Sequence, residues 1–152
     1  MLNTKVIEKA NHHTVYSTKK ISKGENIIAL EGIPQSFPSK YSLQIAEKKH
    51  LVPFSDSTED ERSFWRFLNH SCQPNSYFDL DKMTLIALRE INAGEEITYN
   101  YCTTEYDMAS PFKCVCGSDV CYGEIKGFRY LPKAKQQQLV DTLAPYLKKY
   151  CE

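Results

Sequence analysis

The sequence lacks any apolar run approaching the ~20 residues that a membrane span needs, and residues 1–14 hold no apolar stretch of the signal-peptide kind. It also lacks net charge. Nineteen Lys and Arg stand against nineteen Asp and Glu, so there is no global field of the sort that draws in nucleic acid. Low-complexity tracts, an evident internal repeat and a linker to a second domain are missing too. Together these absences lead to the expectation of a single soluble domain, cytoplasmic, with no membrane or nucleic-acid partner.

What is present suffices for a core. At 152 residues and 41% hydrophobic side chains, the chain can bury roughly 70% of its unfolded surface as one domain. Charge is balanced overall but not locally, because residues 56–107 hold eleven acids against four bases. That stretch reads as a solvated acidic face or as a docking surface for a basic peptide. The C-terminal bases Lys126, Arg129, Lys133, Lys135, Lys148 and Lys149 could contact nucleic acid, but six charges at such spacing ordinarily solvate a helix face.

The first third is punctuated like a set of short strands. Residues 14–17 and 26–30 are strand candidates separated by the turn Ser22-Lys23-Gly24-Glu25, and Pro34 and Pro38 bracket an expected loop. Ser57 or Thr58 is placed to cap a short helix containing Phe64, Trp65 and Leu68. Further on, residues 83–88 read as a buried strand, Asn92-Ala93-Gly94-Glu95 as a turn, and residues 97–101 as a strand with Tyr99 and Tyr101 on one side. Pro132 should open a helix whose apolar stripe is Leu139, Val140 and Leu143, with Pro145 ending or kinking it.

Three local patterns carry chemistry. In the first, Cys114-Val115-Cys116-Gly117-Ser118-Asp119-Val120-Cys121, three thiols lie within eight residues. In a reducing compartment such a cluster reads as metal ligands before disulfides. Zinc requires a fourth ligand; Cys72 is the first choice because an unusual polar loop surrounds it, and Cys102, Cys151 and a histidine compete. An all-cysteine site is closed, so its metal would be structural. The second pattern is the loop itself, Arg66-Phe67-Leu68-Asn69-His70-Ser71-Cys72-Gln73-Pro74-Asn75, too polar for a core segment and rigidified by proline. The third is Gly94-Glu95-Glu96-Ile97-Thr98-Tyr99-Asn100-Tyr101, whose paired tyrosines would by themselves be packing.

In this order the three patterns resemble the SET-domain family of protein lysine methyltransferases, over about residues 12–130. The resemblance implies a mainly β fold with short helices: small curved sheets around a pseudoknot-like crossing, a post-SET zinc segment and a C-terminal helix. It divides the chain into a SET domain over 1–110, a post-SET segment over 111–131 and a helical extension over 132–152. It implies S-adenosylmethionine as methyl donor and a lysine channel entering from the opposite face. Carried over by position, Asn69 and His70 contact the cofactor with Arg66 close by, and Phe112 packs near the adenine. Tyr101 is the catalytic tyrosine, and Tyr99 occupies the position that influences how many methyl groups are added, here mono- or dimethylation. Cys72, Cys114, Cys116 and Cys121 match the post-SET ligands of a structural zinc.

One departure stands out. Where the family pattern has Gly-x-Gly against the cofactor, this chain has His12-His13-Thr14, whose side chains occupy the space that glycine leaves open. That departure motivates a second reading, a peptide-binding module of the same fold without catalysis. For an active enzyme, the acidic balance of residues 56–107 favours a protein substrate with its lysine in a basic context, such as a histone-like tail.

Overall fold

The computed structural model describes residues 2–152; Met1, included in the leader and domain expectations, lies outside the described residues. No described helix is long and apolar enough to cross a membrane. The architecture is mainly β and built from small sheets.

A hairpin opens the fold: β1 (Thr4–Lys9) and β2 (His12–Ser17) pair antiparallel from Thr4↔Ser17 to Lys9↔His12. Its turn residues Ala10 and Asn11 both have positive φ, 52° and 61°. This is the geometry that a two-residue hairpin needs to match strand twist, normally supplied by Asn and Gly. The sequence reading found β2 but not β1, because no glycine marked the turn.

β3 (Asn26–Ala29) joins β9 (Thr84–Ala87) and β8 (Ser76–Asp79) in a sheet ordered β3-β9-β8. Every residue of β9 is buried, as its apolar sequence leads one to expect of a central strand. A second sheet is ordered β4-β6-β5, from Ile33–Gln35, Lys49–Val52 and Leu43–Ala46. Pro34 therefore lies in a strand, not in the loop expected between Pro34 and Pro38. The strand tolerates it because β4 is an edge, where a missing N–H goes unused.

The seven-residue segments 21–27 and 91–97 are used alike, a similarity missed in the sequence. Ile21 and Ile91 exchange backbone hydrogen bonds of 2.8 and 2.9 Å. Each is followed by a turn with glycine at positive φ, 84° at Gly24 and 83° at Gly94. In each turn the next glutamate folds back onto a backbone N–H, Glu25 onto Ser22 at 2.9 Å and Glu95 onto Asn92 at 3.2 Å.

The expected helix near residue 57 starts later and is wound as a 3-10 helix, Glu61–Phe67, capped by Asp60. Ser57 instead accepts the N–H of Glu59 at 3.1 Å, closing a local turn that competes with helix initiation. The helix buries Phe64, Trp65 and Phe67 in the main core beside Val15, Leu43, Phe78, Leu85 and Ile97. Directly after it, β7 (Asn69–His70) pairs in parallel with β10 (Thr98–Tyr99). The expected strand 97–101 is thus cut to two residues. Asn100 accepts the Cys102 N–H at 3.0 Å and turns the chain, so Tyr101 begins the 3-10 helix Tyr101–Thr103.

Beyond Cys121, β12 (Glu124–Ile125) returns on β11 (Phe112–Lys113). The C-terminal extension departs from the single helix expected. Pro132 does cap α1, but α1 covers only Lys133–Gln138. Pro145 opens the 3-10 helix Pro145–Cys151 where it was expected to end a helix. The reason is tertiary: Ala144 donates its N–H to the Thr103 carbonyl at 2.8 Å in an extended conformation, so Leu143 and Leu147 are buried beside Phe128. Val140 is left partly exposed.

Candidate active site and cysteine cluster

The parallel pair β7–β10 places two loops side by side, one carrying Asn69, His70 and Cys72, the other Tyr99 and Tyr101. A cleft of about 990 Å³ opens against them. Of the residues assigned from sequence, His12, His13, Arg66, Asn69, His70, Tyr99, Tyr101 and Phe112 line it; Thr14 does not. Thr14 sits behind, its hydroxyl 3.5 Å from the Asn69 amide nitrogen.

The Asn69 side chain is already engaged. Its Nδ2 donates to the His13 carbonyl at 3.0 Å and to Glu96 Oε1 at 2.9 Å, with His12 Nε2 at 3.3 Å. Asn69 therefore ties the first hairpin to the Glu96 segment. His13 packs its ring on Phe67, centroids 4.7 Å apart, which turns that side chain toward the short helix.

His70 is a joint between two clusters. The Tyr101 N–H donates to its Nδ1 at 3.1 Å, so that nitrogen is unprotonated and the ring hydrogen belongs on Nε2, 3.2 Å from Cys72 Sγ. Burial pushes its pKa down to about 4, consistent with a neutral imidazole. Both ring nitrogens are used within the chain. The sequence assignment to cofactor contact is thus left to the backbone and the ring face of His70.

On one side of His70 lies the sulfur cluster. The Sγ atoms of Cys72, Cys114, Cys116 and Cys121 all lie within 4.8 Å of one another, and those of Cys72 and Cys114 are 3.8 Å apart. A zinc ion with Zn–S bonds of about 2.3 Å needs tetrahedron edges of about 3.8 Å, so this donor set fits the ion. Cys102 is buried next to the cluster without joining it, and Cys151 is engaged at the Gln136 carbonyl, 3.5 Å away. The Tyr122 N–H points at Cys72 Sγ at 3.3 Å and the Cys116 N–H at Cys114 Sγ at 3.4 Å, donors that suit metal-bound thiolates.

On the other side lie the tyrosines. Tyr99 and Tyr101 stand with centroids 4.8 Å apart, and Phe78 meets Tyr99 edge-on, also at 4.8 Å. The Tyr101 hydroxyl donates to the Leu68 carbonyl at 2.5 Å. Burial raises the pKa of both phenols, so both remain protonated at neutral pH.

Arg66 and Glu105 are charged residues of the cleft without a partner of opposite charge among the described residues. Arg66 lays its guanidinium 4.0 Å over the Tyr41 ring, forms no ion pair among the described residues, and keeps a buried Nε without a hydrogen-bond acceptor. That orphaned donor fits the carboxylate of an amino-acid cofactor such as S-adenosylmethionine. The other is Glu105, which the sequence reading missed. Its only signal was an acid four residues past Tyr101, hidden in a stretch already read as acidic surface.

The family model described as SET domain matches residues 12–102. Among curated proteins, one named methyltransferase flvH from Aspergillus flavus is 41% identical over 63 residues, 40% of this chain and 35% of that protein. A histone-lysine N-methyltransferase, H3 lysine-36 specific, from Chaetomium globosum is 44% identical over 80 residues, 49% of this chain and 9% of that protein. The matched region thus spans about a third of the first relative and less than a tenth of the second. Solved structures share the fold. KRYPTONITE in complex with mCHH DNA, H3(1-15) peptide and SAH superposes with a TM-score of 0.62 at 22% identity, covering 82% of this chain and 29% of that one. The methyltransferase domain of human histone-lysine N-methyltransferase SETMAR gives 0.62 at 18% identity, covering 84% and 59%.

Proposed function

The chain belongs to the SET-domain family, and on that premise we propose that it is a protein-lysine N-methyltransferase using S-adenosylmethionine, with a structural zinc held by Cys72, Cys114, Cys116 and Cys121. The observation that carries this reading is one cleft lined both by the Arg66–Asn69–His70 loop and by the buried phenols of Tyr99 and Tyr101. The relatives named for histone-lysine methylation support a protein substrate, and the acidic balance of residues 56–107 favours a lysine in a basic, histone-like segment. Within the chain we assign the SET domain to 1–110, the post-SET segment to 111–131 and the C-terminal extension to 132–152. The cytoplasm is the proposed compartment, in keeping with six cysteines that form no disulfide.

The bound sulfonium supplies an electrophilic methyl group. The chain must supply orientation and a neutral amine, because a lysine of ordinary pKa is neutral in only about 0.04% of molecules at pH 7. Arg66 would hold the cofactor carboxylate, and Asn69 and His70 fix the loop beneath it. Tyr101 donates its hydroxyl hydrogen to the Leu68 carbonyl, which leaves its oxygen able to accept an amine N–H and excludes Tyr101 as a base. The walls formed by Tyr99 and Tyr101 desolvate the nitrogen and confine its approach. The Tyr99 hydroxyl takes up space that successive methyl groups would need, so the products are mono- and dimethyllysine.

A second reading has its own observation. The Asn69 amide is tied to His13 and Glu96, and His12 stands in the cleft at the first glycine position of the family's Gly-x-Gly, with His13 beside it. A peptide-binding module without catalysis would look this way. Calorimetric titration of the metal-loaded chain with S-adenosylmethionine, followed by mass analysis of a basic lysine peptide pool incubated with both, separates the two. Saturable binding with gains of one or two methyl groups supports the enzyme. Peptide binding without cofactor binding or methyl gain supports the module, and dominant trimethylation overturns the role given to Tyr99.

A further inference from the structure

Glu105 is the carboxylate of the cleft that the mechanism above leaves idle. It lies in the turn that follows Tyr101, where its own N–H donates to the Tyr101 carbonyl at 2.9 Å and its carbonyl accepts the Phe128 N–H at 2.8 Å. The residue is 9% exposed, yet it lines the cleft together with Tyr99 and Tyr101. Oε2 is fully used, accepting the Gln44 N–H at 2.9 Å and the Thr104 hydroxyl at 2.7 Å. Oε1 has no hydrogen-bond partner among the described residues, and it is not among the buried side-chain atoms sealed away from solvent.

Its surroundings hold no compensating cation. The titratable groups that feel its charge are Tyr99, Tyr101, Cys102 and Tyr146, all of them acids, and Glu105 forms no ion pair among the described residues. Arg66 shares the cleft but rests over Tyr41. A buried carboxylate with one open oxygen, beside aromatic faces, calls for a cation with N–H donors on a slim apolar stem. A lysine side chain has that form.

We propose that Glu105 receives the ammonium of the substrate lysine beside Tyr99 and Tyr101 and takes its proton, delivering the neutral amine that methyl transfer requires. The proposal rests on the lysine-methyltransferase reading and names the base that this reading lacks. The proton passes from nitrogen to Oε1, leaving an amine and a carboxylic acid. The amine lone pair then forms the N–C bond while the C–S bond breaks, its electrons staying on sulfur. The product is a methylammonium, and Glu105 returns its proton to water as the product leaves. Burial raises the Glu105 pKa to about 7, against the lowering effect of the Gln44 and Thr104 hydrogen bonds, which suits proton exchange at neutral pH.

The test uses n-butylammonium as the side-chain mimic and n-butanol as its uncharged control, titrated calorimetrically into the full metal-loaded chain. The wild type should bind the ammonium more tightly than the alcohol, and Glu105→Gln should weaken the ammonium at least tenfold while leaving the alcohol and the metal content unchanged. No preference in the wild type, or equal ammonium affinity in the variant, overturns the proposal. If Glu105→Gln does not fold, carboxyl-carbon NMR of the wild type decides: the Glu105 midpoint must fall when n-butylammonium saturates the protein, and an unmoved midpoint overturns the assignment. Methyl transfer to the peptide pool keeps the underlying reading separate. Transfer by Glu105→Gln at the wild-type rate and with the wild-type pH profile removes Glu105 while leaving the enzyme. Capture of n-butylammonium through Glu105 without any transfer by the wild type removes the enzyme and leaves the ammonium site.

Discussion

The two sides of His70 are held together by opposite means. On the sulfur side, Cys72 is brought to Cys114 from 42 residues away, and the hairpin bearing the other thiols exposes Val115 to 90%. Its buried cluster is small, Ile125 with the cysteines, and a cation shared by the four thiolates would add to its order. On the phenol side, Tyr99 is packed into the main core against Phe78, and no ion is needed to keep it in place. With a metal bound, a part that would be loosened by removing one ion would stand next to a part that only unfolding removes.

The largest effect should come from attacking the sulfur side. Cys116→Ser, or chelation of the wild type, removes a binding free energy on the order of 10 kcal/mol. The expected result is loss of one equivalent of metal and rapid proteolysis between residues 111 and 131. A metal-free protein with wild-type activity and protease resistance would erase the contrast. Next in size, Tyr101→Phe removes a single oriented hydroxyl and should lower turnover on the order of 10²-fold, about 3 kcal/mol in barrier. Cofactor affinity should stay within a few fold, with melting temperature and metal content unchanged; an unaltered turnover would strip Tyr101 of its role.

The last effect, of similar size to that of Tyr101→Phe, concerns stability within the phenol side. Glu105 has a folded-state pKa of about 7 against an ordinary 4.5. Below about pH 4.5 its carboxyl is neutral in both states and carries no penalty. As pH rises toward 7 the unfolded chain ionises first, so stability falls, by about 3 kcal/mol once both states are charged. Urea unfolding of metal-saturated protein at pH 5 and pH 8 should show Glu105→Gln gaining on the wild type at the higher pH. Equal pH slopes in the two proteins would mean that the Glu105 carboxyl titrates near its ordinary value.

How far the sequence reached follows from how local each feature is. The cysteine run, the Arg66–Asn75 loop and the Tyr99/Tyr101 alternation are each written within ten consecutive residues, and each proved to lie in or beside the cleft. β9 was legible because a central strand is apolar on both faces. What escaped depended on partners distant in the chain. β1 needs β2 across a turn of two non-glycine residues at positive φ, and the course of the C-terminal segment is set by the Thr103 carbonyl capturing the Ala144 N–H. Glu105 is buried by Gln44, 61 residues before it, and no pattern around either residue announces the pairing.

The separation of Cys72 from its companions has a meaning in time. The chain is made from its N-terminus, and the 42 residues between Cys72 and Cys114 take roughly 2 to 8 s to synthesise at common rates. For that interval Cys72 has emerged with none of its three co-ligands, an open thiol beside a histidine and available to any passing soft metal or oxidant. Cys114, Cys116 and Cys121 follow within eight residues of one another and complete the set of four thiols last. A metal shared by all four thiols would therefore have its full donor set only once the chain through Cys121 has been made.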